Sequence, residues 1–278
     1  MNYFTLPLED WTNNFVYDWL IPVMGGFFDS VSSIISFFIN GVADLFLMIP
    51  AEVIAILLIL LAWKLAGKGI AIFTLFGTLY LGSVNLWEDA MLTLAVVVVA
   101  TVFSIIIGLP LGILTAKYAV LDKIVRPILD FMQTLPSFVY LIPAILLFGL
   151  GEVPAVISTF VFATPPAVRM TTLAIKQVPE DMVEAARAFG STSWQMLVKV
   201  QLPVAIPTIM AGVNQTIMLA LSMAVIASMI GAPGLGSTVL AGISSVNVGL
   251  GLVGGLGIVV LAIILDRITQ GLGNKNKK

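Results

Sequence analysis

The sequence predicts an all-α, polytopic membrane protein, and three observations lead there. Hydrophobic residues make up 59% of the 278 positions and charged residues only 10%, where a soluble domain takes about 25% charged residues. Apolar stretches near the ~20 residues that cross hydrocarbon recur along the chain, and mean hydropathy is +1.10. All 13 lysines and arginines fall in alternate connections between those stretches.

Taken in order, residues 1–26 mix polar and aromatic side chains, with Glu9, Asp10 and Asp18 and no basic residue. No basic run precedes an apolar one there, so no cleavable signal peptide is expected. From 27 to 48, Phe27, Val31, Ile34, Ile35, Phe38, Val42 and Leu45 recur at helical spacing, and Asp29, Ser32, Ser33, Asn40 and Asp44 fill the other face. That pattern predicts an amphipathic helix in the interface plane, with a poor transmembrane span as the alternative, because two aspartates are costly in hydrocarbon. The N-terminal segment is therefore set at 1–48, the transmembrane domain at 49–273 and a basic cytoplasmic tail at 274–278.

About seven spans are predicted, at 45–63, 70–87, 90–115, 128–150, 153–168, 203–230 and 240–265. Lys64 and Lys68 follow the first span, and Lys117, Lys123 and Arg126 follow the third. Arg169, Lys176, Arg187 and Lys199 follow the fifth, and Arg267, Lys275, Lys277 and Lys278 the seventh. Lys and Arg mark the cytoplasmic side, so the N-terminus is expected outside and the C-terminus inside. In the fourth span Pro136 and Pro143 stand two turns apart beside Gln133 and Thr134, which predicts a bent pathway helix or a packing kink. The fifth span is expected to end at Thr164-Pro165-Pro166. Asn214 and Gln215 in the sixth face a path or bond a neighbouring helix. Gly249, Gly251, Gly254, Gly255 and Gly257 in the seventh predict a packing face.

Several chemistries are excluded. The chain has no cysteine and no histidine, which removes thiolates, disulfides and the commonest metal ligand and acid–base group. It has no GxxxxGK[ST] phosphate loop, and no charged residue lies mid-way along spans three to seven, where ion-coupled carriers keep them. The chain is expected not to be an enzyme, to hold no cofactor and to take its energy from a partner.

The longest polar interruption of the second half runs from Pro179 to Pro203. Pro179 suits the start of a helix, Glu180, Asp181 and Glu184 its positive end, and Arg187 its negative end. Gly190 suits a left-handed cap, and Thr192 with Gln195 has capping-box spacing for a second short helix. A helix, a glycine turn and another helix are expected between two spans.

Glu184-Ala185-Ala186, then Gly190, then Val200-Gln201-Leu202-Pro203 resembles the EAA loop of ABC importer permeases. The resemblance implies that this loop, 179–203, docks into a cytoplasmic ATPase through Glu184, Ala185, Ala186, Arg187, Gly190 and Trp194. Beyond the loop, QTLPSFVYLIPAILLFGLG, FATPPAVRMT, QLPVAIPTIMAGVNQTIMLALSMAVIASMIGAPGLG and VLAIILDRITQGLG are similar to the permease subunit of glycine betaine/proline betaine ABC importers. That similarity covers about 87–273. It implies a type I ABC importer transmembrane domain in a prokaryotic plasma or inner membrane, paired with a second copy of itself. It further implies two ATPase subunits, an extracellular or periplasmic substrate-binding protein, no nucleic acid, and uptake of osmoprotectants under osmotic stress. Gln133, Pro136, Phe138, Tyr140, Asn214 and Gln215 are then candidates for the path or its gate. Choline, carnitine or an amino acid stays open as the solute, and a passive osmotically gated channel is the reading from another class.

Overall fold

The computed structural model describes residues 6–274, and every regular element among them is helical. The basic tail expected at the C-terminus lies, from residue 275 on, outside the described residues.

Helix α1 (Leu8–Asn14) passes through a π turn into α2 (Ile21–Met48). The two form one 41-residue helical stretch that is long and apolar enough to cross a membrane. The amphipathic segment predicted at 27–48 is the second half of this stretch and not a helix of its own, since Gly25 and Gly26 do not interrupt it. Pro50 ends it. The residue before a proline is pushed out of the helical region, and Ile49 is extended with ψ 130°. The first predicted span therefore straddles a break. α3 (Ala51–Ala66) and α4 (Lys68–Ser83) follow, parted by Gly67 at φ +94°. At 16 residues each they fall short of the ~20 that cross at a right angle.

α5 (Trp87–Lys117) is the longest uninterrupted α-helix, at 31 residues, and keeps Pro110 inside it. α6 (Ala119–Thr134) then runs to a proline break at Pro136, where a 3₁₀ turn leads into α7 (Leu141–Phe148). The chain bends by 107° between the two arms. The fourth predicted span is thus a sharp elbow. With Asp122, Lys123, Arg126 and Asp130 in 16 residues, α6 is too charged to lie in hydrocarbon.

α8 (Glu152–Lys176) runs straight through Pro165 and Pro166, against the expectation that it ends there. Proline within a helix frees carbonyls, and these are tolerated where protein covers them. Both prolines are buried, and Thr164 turns its hydroxyl back to the Phe160 carbonyl. α9 (Glu180–Ala188) and the single turn α10 (Ser193–Met196) follow. α10 continues without a stop through a π turn into α11 (Leu202–Ile226), so Pro203 opens no new helix. The last predicted span divides into α12 (Leu235–Ser244) and α13 (Val248–Asn274) at Val246, whose φ is +52°.

Among the described residues, five helical stretches are long and apolar enough to cross, or six if the elbow counts as one. That is fewer than the seven spans plus an interfacial helix that the hydropathy predicts.

α8 is the axis of the packing, with α5 on one side and α11 on the other. Small residues allow this closeness. A Cβ at Gly112 of α5 would lie 2.6 Å from Thr171 Cβ, and one at Gly212 of α11 would lie 2.6 Å from Met170 Cβ. Thr115 and Thr172 hydroxyls bond across the first seam at 2.6 Å. In α13, Gly254 meets Val239, Gly257 meets Leu235 and the backbone of Gly251 lies against Gly242 of α12, whereas Gly255 faces open space, so only part of the predicted glycine face packs.

Candidate coupling site

The loop between α8 and α11 takes its shape from local chemistry. Pro179, at φ −54°, is the N-cap of α9, and Glu180 and Asp181 fill its first turn. At the other end Gly190 adopts φ +78°. The Ser191 N–H donates to the Ala186 carbonyl at 3.0 Å, and the Gly190 N–H donates to the Arg187 carbonyl at 2.9 Å. This pair of bonds is a Schellman cap, which needs its left-handed residue at Gly190. Two residues on, the Gln195 N–H donates to Thr192 Oγ1 at 3.3 Å and the Thr192 N–H donates to Gln195 Oε1 at 2.9 Å. That reciprocal capping box starts α10.

No residue of α9 is buried. Glu184, Ala185, Arg187 and Gly190 are exposed and Ala186 is half-buried. Trp194 is 70% exposed and Phe189 91%. Both large apolar side chains are thus held in the open, one at each side of the Gly190 turn. Phe189 was not nominated from the sequence; its signal is an aromatic residue set between a charged helix and a glycine. Behind α9, a groove of about 740 Å³ runs against the ends of α5 and α8, lined among others by Lys117, Tyr118, Lys176, Glu184, Arg187 and Gln201.

The elbow gathers a second group. Arg169 Nη1 donates to Gln133 Oε1 at 2.7 Å, and Arg169 Nη2 donates to Asp130 Oδ1 at 2.6 Å. Pro136 makes the break, Phe138 is exposed, and the Tyr140 hydroxyl donates to the carbonyls of Phe131 and Met132 at the end of α6. Lower on the same arm, Lys176 Nζ and Arg126 Nη2 both donate to Asp122 Oδ2, at 2.7 and 2.9 Å. The hydrogen bond from Lys176, with help from both cations, holds the Asp122 carboxyl below its ordinary value. Asp122, Asp130 and Arg169 carried no nomination from the sequence, because their pairing joins residues 39 to 54 positions apart.

Asn214 and Gln215 sit elsewhere, at the seam of α11 and α13. Asn214 Nδ2 donates to Asp266 Oδ1 at 3.0 Å, and the Thr269 hydroxyl donates to Asn214 Oδ1. Gln215 is exposed and lines a cavity of about 380 Å³ with Asn214, Thr269 and Gln270.

A bundle of long apolar helices carrying an exposed polar helix–turn–helix defines a polytopic membrane protein. Comparison with known proteins gives the family. Residues 108–278 match the binding-protein-dependent transport system inner membrane component, and the chain belongs to that family. It is 50% identical over 98% of its length to the glycine betaine/proline betaine transport system permease protein ProW of Escherichia coli (strain K12), covering 77% of that protein. It is 48% identical over 98% of its length to the glycine betaine transport system permease protein OpuAB of Bacillus subtilis (strain 168), covering 96%. The glycine betaine/carnitine transport permease protein GbuB of Listeria monocytogenes is 46% identical, with 98% of each chain covered. Among solved structures, an inward-facing MetNI methionine ABC transporter chain is similar at a TM-score of 0.59 and 27% identity, covering 68% of this chain and 93% of that one.

Proposed function

We propose that this chain forms the membrane path of an ATP-driven importer for glycine betaine or a related quaternary ammonium solute. Two copies stand side by side, two ATPase subunits sit beneath them and an external binding protein delivers the solute from above. The observation that carries the reading is the α9–Gly190–α10 arm, with a Schellman cap closing α9, a capping box opening α10, and Phe189 and Trp194 exposed. It stands in a chain nearly half identical, over almost its whole length, to three betaine permeases.

The mechanism follows from where energy enters. Closure of the ATPase pair draws the two α9 helices together. Each α9 is joined to α8 through only Gln177, Val178 and Pro179, and α8 packs against α5 and α11 on either side. A displacement of α9 therefore reaches the centre of the bundle, and opening alternates between the two faces. The bias of the basic residues supports a cytoplasmic position for α9, where ATP is found. The Phe138–Tyr140 turn at the elbow is the gate candidate in this picture.

The test is uptake by the chain reconstituted with its ATPase and binding protein in proteoliposomes. ATP-dependent accumulation of labelled glycine betaine is expected, and carnitine and choline serve as competing solutes. Carnitine or choline moved in preference to betaine would replace the solute. Flux without ATPase or ATP would replace the mechanism with a passive channel.

A further inference from the structure

α6 and α8 are laced together by charge along their whole contact. Asp122, Arg126, Asp130 and Gln133 recur on α6 at spacings of four, four and three residues, which puts them on one face. Arg169 and Lys176 stand seven apart on α8, again two turns along one face. Lys176 holds Asp122 at 2.7 Å, and Arg169 forks onto Asp130 at 2.6 Å and Gln133 at 2.7 Å. Beneath this ladder Val125, Leu129 and Val168 are buried together.

The two ends of the ladder are what give it meaning. Lys176 is the last residue of α8, and α9 begins four residues later. Gln133 is the penultimate residue of α6, one turn from the elbow that Tyr140 closes onto Phe131 and Met132. The ladder therefore begins at the docking arm and ends at the gate candidate. Exposed ion pairs contribute little to stability, so stability alone does not account for pairs lined up in this way. A planar guanidinium holding two acceptors does fix direction and distance.

We propose that the α6–α8 ladder transmits the stroke of α9 to the elbow at Pro136–Tyr140, with Arg169 as its principal positioning residue. The inference rests on the docking role given to α9 above. Arg169 keeps α6 moving with α8 as one lever. Without it, the apolar contact of Val125 and Leu129 on Val168 lets the two helices slip, and ATP is hydrolysed without the elbow turning.

The experiment measures solute moved per ATP hydrolysed by the complete complex in proteoliposomes. Its variants are Arg169→Asp, Arg169→Gln, Asp130→Arg and the double variant Arg169→Asp/Asp130→Arg, with Gly190→Asp as reference. Co-purification with the ATPase reports assembly. Arg169→Asp and Arg169→Gln are expected to lower the ratio about threefold or more while hydrolysis persists, within the range that coupling residues reach. The double variant restores it, because the Gln133 amide can turn to donate to a carboxylate. Where Arg169→Asp fails to assemble, Arg169→Gln, which introduces no charge, decides. An unchanged ratio in Arg169→Gln overturns the ladder, as does an assembled double variant no better than the single ones. Normal uptake by Gly190→Asp overturns the docking reading, and the ladder with it. Lost uptake in Gly190→Asp beside an unchanged ratio in Arg169→Gln overturns the ladder alone.

Discussion

Gly190 is the residue at which conformation and contact can be separated. A Cβ there meets nothing within 4 Å, yet its φ is +78°. For an ordinary L-residue this region costs about 1–2 kcal/mol, and Asn and Asp enter it more readily. Gly190→Asn therefore keeps the turn, and Gly190→Asp keeps the turn and adds charge at the docking face. We predict that the Asp variant blocks uptake, that the Asn variant retains part of it, and that both insert normally; equal uptake by the two would show that charge at the turn is irrelevant. Glu184→Arg is expected to fail as Gly190→Asp does. Phe189 gives the complementary case. At 91% exposed it holds nothing in the fold, and truncation of such a residue stays within about 0.5 kcal/mol. Phe189→Ala should leave the melting temperature unchanged and weaken ATPase co-purification, and unchanged co-purification would remove it from the docking surface. The shape of this loop was legible in the sequence because every determinant is local: Pro179, Gly190 and the Thr192–Gln195 pair act within a few residues of themselves. Phe189 escaped because burial and exposure are not local properties.

At the scale of elements, legibility depended on whether tertiary contacts overrode the local signal. Proline is a case in point. Pro50 and Pro136 break the backbone, while Pro110, Pro165, Pro166 and Pro207 sit inside helices. The sequence marks all six alike. Pro165 and Pro166 are buried within α8, whereas Pro50 and Pro136, at the breaks, are exposed. The bend of the fourth span was legible from Pro136, but its sharpness and the start of α6 at Ala119, before the predicted span, were not. Asn214 shows the opposite limit. Its residue type permits either a path or a helix seam, and its bonds to Asp266 and Thr269 engage both ends of its amide. Interhelical hydrogen bonds in membranes contribute about 0.6 kcal/mol on average, up to about 1.7. Asn214→Leu should lower thermal stability in detergent by about that much, and the loss should shrink in an Asp266→Asn background, where the partner's charge is already gone. Full additivity of the two changes would dissociate Asn214 from the seam. On α6, Asp122 is held ionised below its ordinary range. A lowered carboxyl contributes its stability above the unfolded value and loses it only as pH falls through the folded one. Transport coupling should accordingly be flat with pH near neutrality and fail on acidification into the carboxylate range.

At the scale of the whole molecule, the orientation of the bundle decides whether α9 can meet an ATPase at all. Charge alone points to that orientation. Basic residues follow the first, third, fifth and seventh predicted spans, and the connections between contain only acids such as Glu88, Asp89 and Glu152. Several of those span boundaries proved wrong, since helices break at Pro50, at Pro136 and near Val246. The number of crossings changes as well, so the side on which each connection lies is a matter for direct labelling. The absence of cysteine makes the test direct, for each introduced thiol is the only one in the chain. Glu184→Cys on α9 and Glu88→Cys at the start of α5 are both exposed positions. In intact cells a membrane-impermeant maleimide should label residue 88 and leave residue 184 untouched. In inside-out vesicles the pattern should reverse. Labelling of residue 184 from outside would put the arm on the face without ATP, and neither docking nor transmission through α6 and α8 could then operate.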